Sequence, residues 1–514
     1  MKTSLRRSLL ALATGGALLL SGCAVVSGPA SSSEPASAAK KDSIVIAISG
    51  AFSSLDQLDS GNLRSDGSVL GSIYSSLTRL NSSGELVGDL AEKWVATDAH
   101  TWTFTLRPGV TYTDGSALDA SVVAWNIKRL KDHPDSPGAT AQLVKNVAEA
   151  TATDATTVTI TTTTPDIDLP RKVAGIYYLQ PKWAETHNTK LESLASGPYE
   201  IATYEPQKQV VLTANPKYSG TQPDIKKVTL RVVSDAATRL SGLKSGEIDA
   251  GFVIDPSDLN QLKSVKTLRT GAVDSNRVQV LRFNRDNPAL ADKRVREAIN
   301  YAIDKDAITK TIYGGLVKPA RTEVLSSLYE GYDSVTKAWP FDLKKAKELL
   351  AEAGYANGLD LELSVPKGAY VGAELAAPVL QSQLAEAGIK LTLTVTDRQV
   401  WLDRTFTDKA ADLTWFGSAD NSTVATDLLT FYGNTWSQTH GQVPEAYDAA
   451  VAAAKAADTK DAQLAQIKTA VTTAADDAYV VYLWPQPQTF AVNSSLNWKI
   501  RGDDYIWPAE ISTK

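Results

Sequence analysis

Hydrophobic and polar residues alternate in short segments over the first part of the chain, and this period of two predicts β-strands. The segment "DSIVIAIS", residues 42 to 49, is one such strand, and "TWTFTL" places Trp102, Phe104 and Leu106 on one face of another. Asp119 then precedes a segment whose apolar residues recur at the helical period, so it can cap a helix. This part of the chain therefore combines strands with helices.

Two further segments connect strands by a hairpin and by a helix. The segment "YEIATYEPQKQVVLTA" predicts a hairpin that turns at Pro206 and Gln207. The segment "KKVTLRVVSDAATRLSGLKSGEIDAGFV" predicts a strand, a helix capped by Ser234 and ended by a glycine, and then a short strand. Strands joined through short connections to a helix favour a mixed sheet covered by helices.

Longer helices are predicted from residue 291 onward. Asp342 can cap a helix that Gly354 ends, and the letters "LAEAG" that close this helix occur again before Gly388. An alternating strand follows each copy, so the repeat predicts two helix-to-strand units of one sheet. No third copy is present, which argues against a solenoid. A second α/β lobe is the better interpretation.

Two segments near the end of the chain differ from these regular patterns. The segment "YVVYLWPQPQTFAV" contains two prolines, which are expected to prevent a continuous central strand and which a chain crossing between lobes would tolerate. Residues 412 to 429, "DLTWFGSADNSTVATDLL", are interpreted as a polar, loop-like run. The first of these segments is therefore a candidate for a crossing between lobes.

The first 41 residues are expected to be a secretory signal followed by a disordered tether. Residues 1 to 22 combine a basic start, an apolar stretch too short to span a bilayer and small residues, which is typical of a secretory signal. Cys23 follows and is the single cysteine of the chain. Its context, Leu-Ser-Gly-Cys, resembles the lipobox of bacterial lipoproteins, in which the cysteine becomes lipidated. Residues 24 to 41 are rich in Ser, Ala, Gly and Pro and predict a disordered tether.

Composition narrows the classes of function. A chain of 514 residues is long enough for two or more lobes, and a net charge of -6 leaves no basic footprint for nucleic acid. One cysteine and four scattered histidines exclude an internal disulfide and lack the spacing of a zinc site. Nucleophile-elbow, zincin, P-loop and dinucleotide-binding motifs are missing, so no enzyme and no cofactor are expected. A secreted hydrolase with a carboxylate pair remains the alternative from another class.

Tryptophan is the residue type that stands out, with eleven in the chain. Trp401, Trp415 and Trp436 lie in or near the run of residues 412 to 429. Aromatic side chains at such positions either pack in a core or line a ligand cleft next to a carboxylate. Their residue types leave both interpretations open.

Five stretches, which follow one another along the chain, resemble a known family. They are "LAEKWVATDAHTWTFTLRPGVTYTDGSALDASVVAWNIKRL", "SGPYEIATYEPQKQVVLTANPKYSG", "RLSGLKSGEIDA", "FNRDNPALADKRVREAINYAIDKDAITKTIYGG" and "KAKELLAEAGY". They resemble the family 5 extracellular solute-binding proteins of bacterial ABC importers, which include dipeptide-, oligopeptide- and nickel-binding proteins. The resemblance implies an α/β, two-lobed periplasmic-binding-protein-like fold of type II, with mixed sheets covered by helices.

The resemblance also implies where the lobes begin and end. Lobe I is expected over residues 42 to 275 with an extra subdomain at about 80 to 190, and lobe II over residues 276 to 485. Residues 486 to 514 are expected to return to lobe I. The implied protein is a monomer, held by a lipid at the outer face of the cytoplasmic membrane or in the periplasm beside its ABC permease.

Site residues are carried over from peptide binders of the family. An aspartate after a Trp-containing strand fixes the ligand amine in those proteins, and the matching position is Asp420, in "WFGSADN". Main-chain pairing with the peptide would involve Ser418 on lobe II and Phe52 on lobe I. The pocket walls would then be formed by the three tryptophans named above.

Two departures from the family pattern bear on the ligand. The chain lacks the Asp-Pro or Glu-Pro step that follows the aspartate in many relatives, and "LDQLDS" replaces the usual Leu-Asp-Pro near the start. The predicted function is capture of a di- or oligopeptide by lobe closure and its delivery to the permease. The alternative keeps the fold but binds an oligosaccharide, a metal chelate or another small solute.

Overall fold

The computed structural model describes residues 41–60, 63–136, 140–332, 338–407, 411–419, 424–435 and 443–514. The predictions that concern Cys23, Asp420 and Trp436 lie outside the described residues. Within the described ranges, no helix combines the length and the apolar character that a membrane span requires.

The strands of the described residues are numbered in chain order. They are β1 (Ser43–Ile48), β2 (Thr78–Leu80), β3 (Leu86–Gly88), β4 (Ala91–Asp98), β5 (Thr101–Leu106), β6 (Val147–Ala152), β7 (Thr157–Thr162), β8 (Tyr199–Glu205), β9 (Gln209–Ala214), β10 (Lys227–Val232), β11 (Ala250–Phe252), β12 (Leu268–Phe283), β13 (Leu359–Pro366), β14 (Ile389–Thr396), β15 (Leu413–Ser418), β16 (Val480–Asn493), β17 (Leu496–Asn497) and β18 (Ser512–Thr513).

The α-helices are numbered in the same way. They are α1 (Leu63–Ile73), α2 (Ala120–Lys131), α3 (Thr140–Leu143), α4 (Leu169–Lys172), α5 (Pro181–Ala184), α6 (Ala236–Ser245), α7 (Pro256–Leu262), α8 (Pro288–Ala291), α9 (Lys293–Tyr301), α10 (Lys305–Tyr313), α11 (Leu343–Glu352), α12 (Ala373–Glu386), α13 (Arg398–Leu402), α14 (Ala425–Thr430), α15 (Glu445–Lys455) and α16 (Lys460–Asp476).

One mixed sheet of ten strands runs through the molecule in the order β14-β13-β15-β12-β16-β11-β1-β10-β9-β8. We call the part built on β1 and β8 to β11 lobe I, and the part built on β13 to β15 lobe II. The two longest strands, β12 and β16, pair antiparallel with each other between the two lobes. Strand β12 also pairs with β15 of lobe II, and β16 also pairs with β11 of lobe I. The predicted α/β fold with mixed sheets is confirmed, and the crossing between lobes consists of two paired strands.

The prediction that two prolines prevent a continuous strand is wrong. Pro485 and Pro487 lie inside β16, in the middle of the sheet. They pair with Val278 and Asp274 of β12, and between these pairs three residues of β12 face the single residue Gln486. This bulge interrupts the hydrogen-bond ladder where proline has no N–H to donate, so the strand continues through both prolines.

Two of the three predicted helix caps are confirmed. Asp119 and Asp342 cap α2 and α11 as predicted, each accepting hydrogen bonds from backbone N–H groups of the first turn. The cap of α6 is Asp235 rather than Ser234, because the Asp235 carboxylate accepts from the N–H of Thr238 at 2.7 Å. Ser and Asp are similar caps, so the sequence left the choice between adjacent residues open.

The two "LAEAG" repeats end helices that lead into paired strands. Helix α11 leads to β13 and α12 leads to β14, and the two strands run parallel with Leu359 opposite Ile389. The first half of the supposed loop at residues 412 to 429 is the buried strand β15, which also runs parallel to β13. Three neighbouring strands of lobe II therefore end at the same edge of the sheet.

Separate hydrophobic cores support the parts of the molecule. One core packs around Ile46, Leu230 and Phe490 in lobe I, and two others pack on the faces of the lobe II sheet. A further core belongs to a four-stranded antiparallel sheet, β4-β5-β7-β6, covered by α2. We call this unit, residues 91 to 178, the subdomain; the lobe boundaries given above stay a prediction.

Lys305, the first residue of α10, is a buried cation that should link stability to pH. Its ammonium donates to the carbonyl oxygen of Ala320 at 2.8 Å, and burial lowers the pKa of Lys305 to about 8 from 10.5. The unfolded chain therefore binds more protons between about pH 8 and pH 10, and Lys305 makes stability rise with pH in this window. We expect Lys305→Met to abolish this contribution in urea titrations at about pH 7.5 and pH 9.5. Lys310→Met, on the exposed side of the same helix, is the matched control, and equal pH profiles for the two variants would contradict the assignment.

Candidate functional site

The carboxyl ends of parallel strands are where open α/β sheets bind ligands. In lobe II, strands β13, β14 and β15 end at Pro366, Thr396 and Ser418, and in lobe I β1 ends at Ile48. The predicted site residue Phe52 lies in the loop after β1, and Ser418 closes β15. The topology thus places these two predicted positions at strand ends of opposite lobes.

The edge of lobe II is held by a buried hydrogen-bond network centred on Gln279 of β12. The Gln279 side chain accepts from Trp415 Nε1 at 2.8 Å and donates to the carbonyl oxygen of Val371 at 3.3 Å. It also lies 3.4 Å from Oε1 of Gln486, opposite the bulge in β12. The network therefore connects β15, both crossing strands and the loop that follows β13.

Two aromatic residues complete this network. Trp484 Nε1 donates to the hydroxyl of Tyr313 at 2.9 Å, and that hydroxyl donates to the carbonyl oxygen of Val371 at 2.8 Å. We call Gln279, Tyr313, Trp415, Trp484 and Gln486 the floor network. All five side chains are buried, so their polar groups depend on one another for partners.

The loop of residues 49 to 60 is the corresponding element of lobe I. The Asp66 carboxylate of α1 accepts from the backbone N–H of Ser53 at 2.8 Å and from the hydroxyls of Ser53 and Ser60. Further along the loop, the Gln57 amide donates to the carbonyl oxygen of Tyr177 at 2.7 Å and accepts from the N–H of the same residue. These bonds fix the backbone on both sides of Phe52.

A buried ion pair anchors the same loop to the subdomain. The guanidinium of Arg129 on α2 contacts both carboxylate oxygens of Asp56, one of them at 3.0 Å, and Thr189 donates at 2.6 Å. Burial raises the pKa of Asp56, but the Arg129 and Thr189 contacts outweigh it and hold the pKa below its usual value. Asp56 therefore remains a carboxylate that ties the loop down, and it is not free to act as an acid.

The described aromatic side chains at the predicted site positions are too buried to form the wall of an open pocket. Trp415, Trp401 and Phe52 expose 0%, 2% and 1% of their surface. Trp401 stacks on Phe416 with ring centroids 5.7 Å apart, and its indole N–H has no hydrogen-bond partner among the described residues. These side chains support the crevice from behind, whereas the half-exposed Ser418 lies at its edge. Ligand contact by any of these residues stays a prediction.

Arg277 is a charged residue at this edge that the sequence patterns did not single out. It lies in the bulge of β12, its guanidinium donates to the carbonyl oxygen of Gly417, and it lies 5.9 Å from the ring of Tyr370. A Cβ at Gly417 would come within 3.1 Å of the Arg277 stem, so glycine makes room for it. The buried Nε of Arg277 makes no hydrogen bond within the described part of the chain.

One direct contact joins the crevice loops of the two lobes. The carboxylate of Asp255, at the start of α7 in lobe I, accepts from the backbone N–H of Gly372 at 3.1 Å. Burial raises the pKa of Asp255, and the nearby carboxylates of Asp258 and Glu374 act in the same direction. Gly372 has a φ of +73°, which favours glycine at this contact.

The sequence of the chain matches a family model over most of its length. Residues 85 to 439 match the bacterial extracellular solute-binding proteins, family 5 Middle. The chain belongs to this family. Family 5 solute-binding proteins are extracytoplasmic and serve ABC importers, so this solute-binding protein is a substrate-binding component of such an importer.

Individual relatives agree with the family assignment. The glutathione-binding protein GsiB of Escherichia coli K12 is 32% identical over 368 residues, which cover 70% of each chain. Two solved structures share the fold at low identity, each over 92% of this solute-binding protein. One is DppA of Helicobacter pylori in complex with peptide STSA, at 21% identity and a TM-score of 0.79, with 98% of that chain covered. The other is NikZ of Campylobacter jejuni in complex with Ni(L-His), at 20% identity and a TM-score of 0.79, with 100% of that chain covered.

Proposed function

We propose that this solute-binding protein captures a di- or oligopeptide between its lobes and delivers it to an ABC permease. The observation that carries the proposal is the edge of lobe II, where β15 ends at the half-exposed Ser418 beside the cationic side chain of Arg277. A relative named for binding glutathione and a structural neighbour in complex with a peptide support the same class of ligand.

Each part of a peptide has a suitable partner in this proposal. Main-chain groups at Ser418 and Phe52 pair with the peptide backbone, which gives affinity without demanding a particular side chain. The carboxylate of Asp420 binds the peptide amine, and the guanidinium of Arg277 binds a carboxylate of the ligand. A hydrogen bond to a charged group contributes about 1.5 to 3 kcal/mol.

A second candidate keeps the fold and changes the ligand to a metal chelate, an oligosaccharide or another small solute. The specific support is the NikZ complex, in which the ligand is nickel with histidine. Such a chelate also presents a carboxylate, so Arg277 fits both ligand classes. Asp420 distinguishes them, because an anchored amine needs its negative charge.

The test begins with native mass spectrometry of freshly purified protein and identification of the molecule released on denaturation. With that ligand, Asp420→Asn and Arg277→Gln are each expected to raise the Kd by about 10- to 100-fold in calorimetric titrations. Arg269→Gln is the matched control, because Arg269 lies at the opposite end of β12 and donates to the carbonyl oxygen of Trp498.

The outcomes separate the candidates. An unchanged Kd for Asp420→Asn together with a raised Kd for Arg277→Gln contradicts amine anchoring and favours a chelate or another acidic solute. Unchanged values for both variants contradict the proposed site. Incubation with peptide or oligosaccharide should yield no product, since a binding protein releases its ligand intact; any turnover would revive the hydrolase alternative.

The proposed anchor completes this function. Lipidation of Cys23 would keep the protein at the outer face of the cytoplasmic membrane, beside its permease, with residues 24 to 41 as the tether. We propose that the protein acts there as a monomer. A tether of this composition allows the folded part to reach the permease without entering the bilayer.

A further inference from the structure

Charged side chains connect the subdomain directly to the helices of lobe II. The subdomain contributes residues in and just before α4, and lobe II contributes residues from α14, α15, α16 and the segment that follows α10. We call this set the clasp; its members are Asp166, Asp168, Lys172, Glu330, Asp427, Lys455, Lys460 and Gln463.

Asp168 is the centre of the clasp. One of its carboxylate oxygens lies 3.1 Å from Nζ of Lys460, and the other accepts from the side-chain amide of Gln463 at 2.7 Å. Asp168 occupies the N-cap position of α4, yet its side chain makes no capping hydrogen bond there. Both carboxylate oxygens therefore contact α16 of lobe II instead of capping α4.

A second bridge runs beside the first. Nζ of Lys172 lies 2.8 Å from Asp166 within the subdomain and 4.0 Å from Asp427 on α14. Asp427 in turn lies 3.2 Å from Nζ of Lys455. Burial lowers the pKa of Lys172, but Asp427 and then Asp166 outweigh this effect, so the pKa is raised and the ammonium stays charged.

The clasp is buried where the two parts meet. Asp168 and Gln463 expose 9% and 3% of their surface, and Asp166 and Lys172 are also buried. The outer members Lys460 and Glu330 lie 2.6 Å apart and are more exposed. Opposite charges alternate through the set, so separating the lobes would break several charge-assisted contacts at once.

We infer that the clasp holds the subdomain against lobe II in the absence of ligand, through charges that do not belong to the proposed ligand site. A ligand shifts the equilibrium between open and closed lobes by its differential affinity, and the clasp adds a fixed contribution toward the closed state. The contribution of the clasp depends on ionic strength, because dissolved ions screen the charges of its exposed members. The inference holds for any ligand and does not rest on the peptide assignment.

Distance measurements between spin labels test this directly. The full chain carrying Cys23→Ser receives cysteines at two exposed positions, Thr151→Cys on β6 of the subdomain and Thr472→Cys on α16 of lobe II. Pulsed electron resonance then reports the distribution of distances between them without ligand. The protein with an intact clasp is expected to give one dominant short distance at low salt.

Two variants are expected to weaken the clasp, because each replaces a charged side chain by a neutral one of similar size. Lys460→Met removes the ammonium, and Asp168→Asn removes the carboxylate charge. Each is expected to raise the population at longer distance by about fivefold, whereas Lys468→Met, on the exposed side of the same helix, should leave the distribution unchanged.

Salt provides an independent readout that needs no clasp variant. Raising sodium chloride to about 1 M should enlarge the long-distance population of the intact clasp and should have little effect on the double variant Asp168→Asn/Lys460→Met. Unchanged distributions in the variants and in high salt would overturn the inference. If a variant fails to fold by circular dichroism, the salt response of the intact clasp decides the question.

Discussion

Replacing Trp415 with alanine is expected to lower the free energy of unfolding by about 3 to 5 kcal/mol, which is the usual cost of truncating a fully buried aromatic residue. Trp415 is completely buried, and its indole N–H donates to Gln279 in the floor network. Truncation leaves a cavity and an unsatisfied amide oxygen beside the crossing strands. Urea denaturation followed by circular dichroism measures this loss.

Two comparison variants show whether Trp415 acts through packing. Trp415→Phe keeps most of the volume and removes only the N–H donor, so a loss of about 1 to 3 kcal/mol is expected from the unpaired Gln279 oxygen. Trp183→Ala truncates a half-exposed tryptophan stacked on His187 and should cost far less. If Trp415→Ala instead retains its stability and loses only ligand affinity, then Trp415 is a pocket wall and the structural assignment fails.

Replacing Cys23 with serine is expected to move nearly all of the protein from the membrane fraction to the soluble fraction of the producing cells. The proposed anchor is a lipid on the Cys23 sulfur, and serine cannot carry a thioether-linked lipid. Cell fractionation followed by immunoblotting measures the distribution. Ligand affinity of the released protein should equal that of the anchored form, because the folded residues are unchanged.

The control for this experiment is Ser27→Ala, a substitution of similar size in the proposed tether. It should leave the protein in the membrane fraction. A Cys23→Ser protein that still sediments with membranes would contradict lipidation at this position and would require another means of attachment.

Patterns within one element predicted that element well. Asp119 and Asp342 were identified as caps because a capping carboxylate acts on the first turn of its own helix. The paired units α11-β13 and α12-β14 were predicted from two copies of five letters, since neighbouring helix-to-strand units share one sheet. In these cases the deciding interactions lie within a few residues or between adjacent repeats.

Long-range pairing was the main source of error. The prolines of β16 are tolerated because residues more than 200 positions earlier, in β12, form a bulge opposite them. Similarly, the start of the supposed loop at residues 412 to 429 is a strand because β12 and β13 flank it. No pattern within either segment contains this information.

The sequence predicted where Ser418 lies relative to a strand, whereas its contact with a ligand stays a prediction. The family resemblance placed Ser418 at the end of a strand, as the structure does. It could not separate tryptophans that support the crevice from residues that face it, because burial depends on the packing of α13 and the aromatic cluster around Trp401. Arg277, which we propose as a ligand contact, was not predicted because its position depends on the bulge within β12 and on Gly417 across the sheet.

The crossing strands have a consequence for how the chain is assembled. Lobe I contains β11, which pairs with β16 near the C-terminus, and α16 and the cores of lobe II also adjoin residues of β16. Neither lobe can complete its part of the central sheet until residues 480 to 493 have been made, and before that point only the subdomain has its complete sheet and core. We therefore expect the two lobes to stay unfolded until synthesis of the chain is nearly complete, whereas the subdomain can fold earlier.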